Sequence, residues 1–494
     1  MVFTMKAINK TVLWNFLLFF CTAFVFFVRW YMLNKSPEPT GLDGYYYALQ
    51  AKSFMQYGIL ENPDYKIGYY LCGISSLLCG DPIIGCKIIA ALMSALLCLG
   101  VYAVLRSLKI PHMSSLTGFF LCGSSFAVAS MATNYINNLT GIVFFLFYAA
   151  LLIRLCYEDA TSSKIGSILK ITLAALLFLC CVLSHLVSAA FAFLFTIILF
   201  LRKQSFRHQI AFLIVSIVAG ILIFSRQLPR FTSVFSLGPI LPVLSDSMRK
   251  AVGMRISGEM SILFITAWLL CIFRTLQCVR KKYLDLSVFT APILFFPFWN
   301  LDILDMGYRM LLSAVPIGII MLVLGINNML KQSERNRHIF FSIVLCVTVP
   351  GTVVSVYSYN PFNDPPFSYY RRIVQDIELP DDSLLIAHLG LNHVYTYYKN
   401  LRDCLNYEPD FPVPPEKLWR IAYGVHIISL ENQLTDLRQE DFSRYIQPID
   451  SYYTLIREDI WQRYLENEEE SIAATYNNWF NPHTVRPQFI RKNK

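Results

Sequence analysis

Asp43 is the acidic side chain in this sequence best placed to do chemistry. It lies just beyond the first long apolar segment, in the stretch Gly41-Leu-Asp-Gly-Tyr-Tyr-Tyr-Ala-Leu-Gln-Ala-Lys-Ser-Phe-Met-Gln-Tyr-Gly58, which is too polar and aromatic to continue that segment. Two roles suit it. Asp43 occupies the N-cap position before a run that can be helical. It also stands where desolvation among tyrosines at a water boundary can tune a carboxylate into a general base. Tyr45, Tyr46, Tyr47 and Tyr57 lie close by in sequence. They could stack on sugar rings, hydrogen-bond hydroxyls or anchor the chain at a membrane interface. Lys52 follows at a spacing that turns it to the opposite face of a continuous helix, which fits contact with solvent or headgroups.

The elements that must position Asp43 are membrane spans. More than half of the 494 residues are apolar and only 15% are charged, the composition of a polytopic membrane protein. Apolar runs measured against bilayer thickness give about eleven spans. They are Val12–Leu33, Ile83–Leu105, Met113–Met131, Leu139–Leu155, Ile165–Leu183, Leu186–Leu201, Ile210–Phe224, Ser257–Phe273, Leu286–Trp299, Met310–Leu324 and Ile339–Val356. Tyr69–Leu78 is apolar but too short to span, and reads as re-entrant or interfacial. The first run is long enough to span and has no small-residue cleavage site behind it, so it is expected to remain as a span.

The net charge of +9 would suggest nucleic acid in a soluble protein. Here the cations gather in alternate short loops: Arg106 and Lys109, Arg154 and Lys164, Arg202 to Arg207, Arg280 to Lys282, and Lys331 to Arg337. Under the positive-inside rule this places the N-terminus in the cytoplasm. The loop 34–82 that holds Asp43, the loop 225–256 and everything after Val356 then lie on the far side. The second of these loops departs from the rule, carrying Arg226, Arg230, Arg249, Lys250 and Arg255. An anionic ligand or lipid headgroup would account for them. The cysteines mostly fall inside apolar segments and read as packing, with no CxxC or zinc spacing.

Residues 1–356 therefore form a transmembrane domain, and 357–494 a small extracytoplasmic α/β domain. In the latter, Ser383–Ala387 and Tyr453–Ile456 read as strands, and Tyr369–Ile377, Asn392–Lys399, Glu416–Tyr423 and Asp459–Glu466 as helices. Glu468–Glu470 reads as a solvated helix face.

The block Leu42-Asp-Gly-Tyr-Tyr-Tyr-Ala-Leu-Gln-Ala-Lys52 resembles the first extracytoplasmic loop of the GT-C superfamily of membrane glycosyltransferases, which includes protein O-mannosyltransferases and lipid A aminoarabinose transferases. Asn134-Tyr-Ile-Asn-Asn-Leu139, Ser184-His185, and Tyr308-Arg309 followed by Pro316 are similar to features of bacterial members, as is a soluble domain after the last span. The resemblance implies an inverting hexosyl- or pentosyltransferase. Such an enzyme moves a sugar from a polyprenyl-phosphate donor to a hydroxyl of a lipid, glycan or protein, on the outer face of a bacterial inner membrane. Asp43 would be the catalytic base. Arg309 corresponds to the phosphate-contacting arginine, and Lys66 resembles a lysine late in the first loop, although the proline pair that usually follows is absent. Tyr45, Tyr46, His185, Arg226 and Arg230 complete the expected substrate-binding set. For His185, a hydrogen-bonded structural role is the competing reading; for Arg309, it is a snorkelling interface arginine. Asp302 and Asp305 could orient Arg309.

Several members pair two acids in this loop or hold a divalent metal with them. Here Gly44 follows Asp43, and Glu38, Glu61 and Asp64 are separated from it by prolines or by the helix. A divalent ion needs more than one converging oxygen, so a metal-independent enzyme without a cofactor is expected. The rival class is a transporter or flippase of a lipid-linked saccharide. Transporters usually carry internal repeats and intramembrane charges, and neither is evident in this sequence.

Overall fold

The computed structural model describes residues 10–41, 43–62, 64–157, 164–201, 306–358, 367–380, 382–387, 389–399, 404–405, 413–423, 444–449 and 453–467. The spans expected at Ile210–Phe224, Ser257–Phe273 and Leu286–Trp299 lie outside these residues, as do loop 225–256, Asp302, Asp305 and the Glu468–Glu470 run. Chain contacts divide the protein into two compact units, one of Met1–Lys35, Asn62–Gly80 and Ile84–Pro361, the other of Ser36–Glu61, Asp81–Ile83 and Phe362–Lys494.

The first unit is helical. Its elements are α1 (Lys10–Leu33), α3 (Ile67–Cys79), α4 (Pro82–Ser107), α5 (His112–Ser124), α6 (Phe126–Asn134), α7 (Ile136–Tyr157), α8 (Lys164–Ser184), α9 (Leu186–Leu201), α10 (Met306–Met329) and α11 (Glu334–Ser358). Each of the eight expected spans that falls in the described residues appears as helix. Among the described residues five helices are long and apolar enough to cross a membrane, or six if the pair α5–α6, bent by 54°, is one span. The chain is thus an integral membrane protein. α5 packs against α10 and α11, α11 also against α1, and α7 against α3, α8 and α9.

The 13-residue α3 is the short apolar stretch Tyr69–Leu78 extended at both ends. It ends on Gly80, whose φ of +75° is the left-handed geometry that a glycine C-terminus supplies, and Pro82 opens α4. The two helices approach closely at Gly85, where an added Cβ would lie 2.6 Å from Ser76 Cα.

At the bend between α5 and α6, Ser125 caps α6 by accepting the Val128 N–H at 3.3 Å. The carbonyls beside the bend are taken up by Arg29, a fully buried residue of α1, whose Nη2 donates to Gly123 O at 2.7 Å and Ser125 O at 3.1 Å. An arginine at membrane depth costs about 2.5–3.5 kcal/mol on insertion scales. Hydrogen bonds to a charged group contribute about 1.5–3 kcal/mol each, so two offset that cost.

The second unit contains α2 (Gly44–Tyr57), α12 (Phe367–Asp376), β1 (Leu384–Ile386), α13 (Leu389–Lys399), β2 (Cys404–Leu405), β3 (Leu418–Tyr423), β4 (Ile446–Pro448), β5 (Tyr453–Arg457) and α14 (Glu458–Asn467). Its five-stranded sheet has the order β2-β1-β3-β5-β4, parallel across β2-β1-β3 and antiparallel across β3-β5-β4. Trp419, Ile421, Tyr453 and Leu455 point to one face and join Phe367, Val374, Leu391, Val394 and Tyr395 of α12 and α13. Ala422 and Ile456 point to the other face, where α14 brings Ile460, Trp461 and Tyr464.

The segment Glu416–Tyr423, expected as a helix, is instead a 3-10 turn, Pro415–Lys417, running into the strand β3. As the middle strand of the sheet, β3 is covered on both faces, so its apolar residues run on without the alternation of a half-exposed strand. Composition draws a boundary after residue 356. The contacts add that α2, from the first loop, packs on α13, with Tyr45 inside the same core as Trp419 and Leu455.

The approach at Gly85 generates a paired test. Gly85→Ala should lower the thermal unfolding midpoint of the purified protein, as an overpacking change of about 1–3 kcal/mol. In Gly351→Ala the new Cβ meets only Ser124 Cβ, at 3.6 Å. That variant should leave the midpoint unchanged or raise it, because alanine favours the helix by about 1 kcal/mol. Equal effects of the two would contradict the packing described.

Candidate functional site

Within the first unit, two cations singled out by sequence, Lys66 and Arg309, act electrostatically on a third such residue, His185. Lys66 occupies the N-cap position of α3, and its Nζ is 2.6 Å from Asp64 Oδ2. A lysine at a helix N-terminus is unfavourable with respect to the helix dipole, and Asp64 compensates. The Lys66 ammonium also lies 5.9 Å from the centre of the Tyr69 ring. Arg309 belongs to the first turns of α10. Its guanidinium lies 4.9 Å from the centre of the Tyr135 ring, a cation–π distance. Arg309 Nε is buried and has no hydrogen-bond partner among the described residues.

Tyr135 and His185 hold their places for the same backbone reason. Each is a single-residue interruption between two helices, Tyr135 between α6 and α7 and His185 between α8 and α9. Tyr135 is the second residue of the Asn134-Tyr-Ile-Asn-Asn-Leu139 stretch, and its break turns the ring towards Arg309. His185 is 9% exposed, and its Nδ1 accepts the Val187 N–H at 3.2 Å. In the neutral ring that leaves Nε2 as the protonated nitrogen.

Burial pushes the imidazole pKa of His185 down to about 4, helped by the positive charges of Arg309 and Lys66 and opposed by Asp64. His185 is therefore neutral at physiological pH and able to donate from Nε2. With Asp64 already paired to Lys66, Arg309 supplies the uncompensated positive charge and His185 a neutral hydrogen-bond donor, groups suited to an anion.

The second unit carries the other half of the expected set. Asp43 is at the N-cap position of α2, with φ −90° and ψ 13°, but its side chain makes no capping hydrogen bond. The capping role expected as one alternative is thus not what its carboxylate does. Gly44 beside it is closely confined: an added Cβ would lie 3.1 Å from Pro39 Cβ and 3.2 Å from the Phe367 ring.

Tyr45, expected as a substrate contact, is 1% exposed and is a core side chain. Its ring meets Phe367 edge-on at 4.9 Å, and its hydroxyl donates to Glu38. Tyr46 is half-buried, its ring 5.0 Å from that of His393. Burial lowers the His393 pKa to about 4. Lys52, expected in solvent or at headgroups, instead donates to the Tyr397 carbonyl at 2.5 Å, near the end of α13, where a cation complements the helix dipole.

Arg226 and Arg230 lie outside the described residues. Among those residues no group of three or more His, Cys, Asp or Glu side chains has metal-binding geometry. Asn138, in the sequence Asn138-Leu-Thr140, is 4% exposed and Thr140 is fully buried, so that acceptor sequon is closed to a glycan.

Sequence reasoning missed Tyr135 as the support of Arg309, and also Glu38, Arg371 and Tyr398, which gather around the Tyr45 hydroxyl. The tyrosine inside Asn134-Tyr-Ile-Asn-Asn-Leu139 was a signal for the first. The others need the tertiary fold.

The depressed pKa of His185 has a consequence for stability. Its folded-state pKa is below the unfolded value, so between pH 6.5 and about 4 the unfolded chain binds more protons. Stability should fall as pH drops through that window, by on the order of 2–3 kcal/mol. Thermal unfolding at pH 7 and pH 5 should show the loss in the parent protein and a smaller one in His185→Gln. An identical pH response in both would refute the assignment.

No family model matches the chain, and no curated protein does. Solved structures do. The apo form of the Archaeoglobus fulgidus oligosaccharyltransferase superposes with a TM-score of 0.50 at 9% identity, over 84% of this chain and 70% of that one. The same protein in complex with Zn and sulfate gives 0.48 at 10% identity, over 76% of this chain and 61% of that one. ArnT from Cupriavidus metallidurans in the apo state gives 0.45 at 12% identity, over 91% and 98%. The chain thus spans about three-fifths to seven-tenths of the length of the oligosaccharyltransferase. At 9% identity the likeness is one of fold, and the fold is the GT-C-like arrangement of membrane helices with a small C-terminal sheet.

Proposed function

We propose that this protein is an inverting membrane glycosyltransferase that moves a sugar from a polyprenyl-phosphate donor to an acceptor hydroxyl on the extracytoplasmic side of a bacterial inner membrane. The observation that carries this reading is Arg309, backed by the Tyr135 ring and with a buried Nε that has no partner among the described residues, in a chain of GT-C-like fold.

In this reading Arg309 and Lys66 hold the donor phosphate, and His185 donates a hydrogen bond to it from Nε2. The Asp43 carboxylate takes the proton of the acceptor hydroxyl. That oxygen attacks the anomeric carbon from the face opposite the phosphate, the bond from that carbon to the phosphate oxygen breaks, and polyprenyl phosphate leaves. Phosphate is already a good leaving group. The protein therefore has to supply a base and cations where negative charge grows; in this reading Asp43 is the base and Arg309 and Lys66 are the cations. No resident metal is required in this scheme. Lipid, glycan or protein hydroxyls could each serve as acceptor, and the hexosyl or pentosyl choice belongs to the donor.

Two variants test the roles separately, with purified protein and a labelled lipid-linked sugar. Asp43→Asn should lower kcat about 10²- to 10⁴-fold, the usual contribution of a general base; transfer at the parent rate by folded protein would dismiss the base. Arg309→Ala should raise the donor KM about 10- to 100-fold, as expected for losing a charge-assisted bond of about 1.5–3 kcal/mol. An unchanged donor dependence would remove Arg309 from the phosphate site.

A further inference from the structure

The chain around Asp43 is clasped at both ends by one buried carboxylate. Glu38, five residues before Asp43, is 4% exposed. One of its oxygens accepts the hydroxyl of Tyr45, two residues after Asp43. The other is 2.8 Å from Arg371 Nη1 on α12. The Tyr45 hydroxyl is also 3.0 Å from the Tyr398 hydroxyl on α13, and Tyr398 and Glu38 both favour the charged form of the Arg371 guanidinium. The four side chains are therefore linked electrostatically; burial first, then Glu38 and Tyr398, raise the Tyr45 pKa and keep its phenol protonated as the donor.

Between the two ends the backbone has little latitude. Gly41 has φ +75°, Gly44 N–H donates to Gly41 O at 3.2 Å, and Tyr47 N–H donates to Asp43 O at 3.0 Å. Pro39 and Phe367 press on Gly44 from either side.

We infer that Glu38, Arg371 and Tyr398 are positioning residues that fix where the Asp43 carboxylate is presented, so that residues of α12 and α13 control a base belonging to the first loop. The inference rests on Asp43 being the base. A carboxylate held in place this way needs no further ordering when the acceptor binds. A small misplacement of a reacting group costs far more in kcat than in binding.

Transfer kinetics of the full-length protein in detergent or nanodiscs test this. Tyr398→Phe keeps the ring and removes one hydroxyl; Arg371→Gln keeps the size and removes the charge. Both should lower kcat about 10- to 100-fold while the donor KM stays at the parent value, and Arg371→Lys should recover much of the rate lost in Arg371→Gln. Parent kcat in both Tyr398→Phe and Arg371→Gln, measured per folded molecule, would overturn the inference. So would Arg371→Lys being as impaired as Arg371→Gln.

Asp43→Asn, assayed alongside, separates the two levels. If it is inactive while the clasp variants keep full kcat, the positioning role alone fails. If it is fully active, the base assignment fails and the positioning role goes with it.

Discussion

Inside a bilayer a backbone N–H or C=O without a partner costs several kcal/mol, because no water reaches it. At three interruptions among the described residues of the helical unit, that cost is met by identifiable partners. At Ser125 the side chain accepts an amide and Arg29 takes the carbonyls. At Tyr135 the amide donates back to Met131 O at 2.9 Å and the carbonyl accepts Leu139 N–H at 2.9 Å. At His185 the ring accepts Val187 N–H, while the Ser188 hydroxyl reaches Cys181 O and His185 O. Because the backbone at each break finds partners, its side chain is released from helical geometry; of the three, Tyr135 offers its ring to the Arg309 guanidinium and His185 feels its charge.

Arg29 and Arg309 show how the same side chain serves structure or binding. Arg29 is fully buried, and its guanidinium is engaged with main-chain carbonyls; it closes a bend. Arg309 is held by a π face, which uses no N–H, and its Nε is left with no partner among the described residues. A guanidinium supported by a ring and with its Nε donor unsatisfied has unused capacity for a carboxylate or phosphate. Burial alone would have ranked Arg29 first. The placement of hydrogen-bond donors reverses that order.

What the sequence made legible follows from the range of the interactions involved. Spans are set by the length of an apolar run against bilayer thickness, so every expected span within the described residues appears as helix. Arg309, Lys66 and His185 are singled out by short local motifs that resemble those of the GT-C superfamily. Local pattern failed where the deciding contacts are distant in sequence. β3 is a strand because β1 and β5 flank it, and the acidic residue ahead of it imitates a helix start. Tyr45 looked like a surface tyrosine until residues more than 300 positions away, Phe367 and Tyr398, closed over it. Lys52 was placed by the same kind of contact.

Gly44 shows why Asp43 is a solitary acid. Read as sequence, Gly44 stands where a second carboxylate would complete a metal-binding pair. In the structure, even a methyl group there would be 3.1–3.2 Å from Pro39 and Phe367, tighter than ordinary van der Waals contact, so a carboxylate-bearing side chain requires Pro39, Phe367 or the start of α2 to give way. Moving the helix start would shift Tyr45 and strain the bond to Glu38, which is buried and would lose a partner. Leaving a buried charge poorly paired is among the costliest changes a fold can suffer. The glycine, the clasp and the single acid are therefore one constraint: the packing that holds Asp43 in place is the packing that a second acid beside it would have to displace.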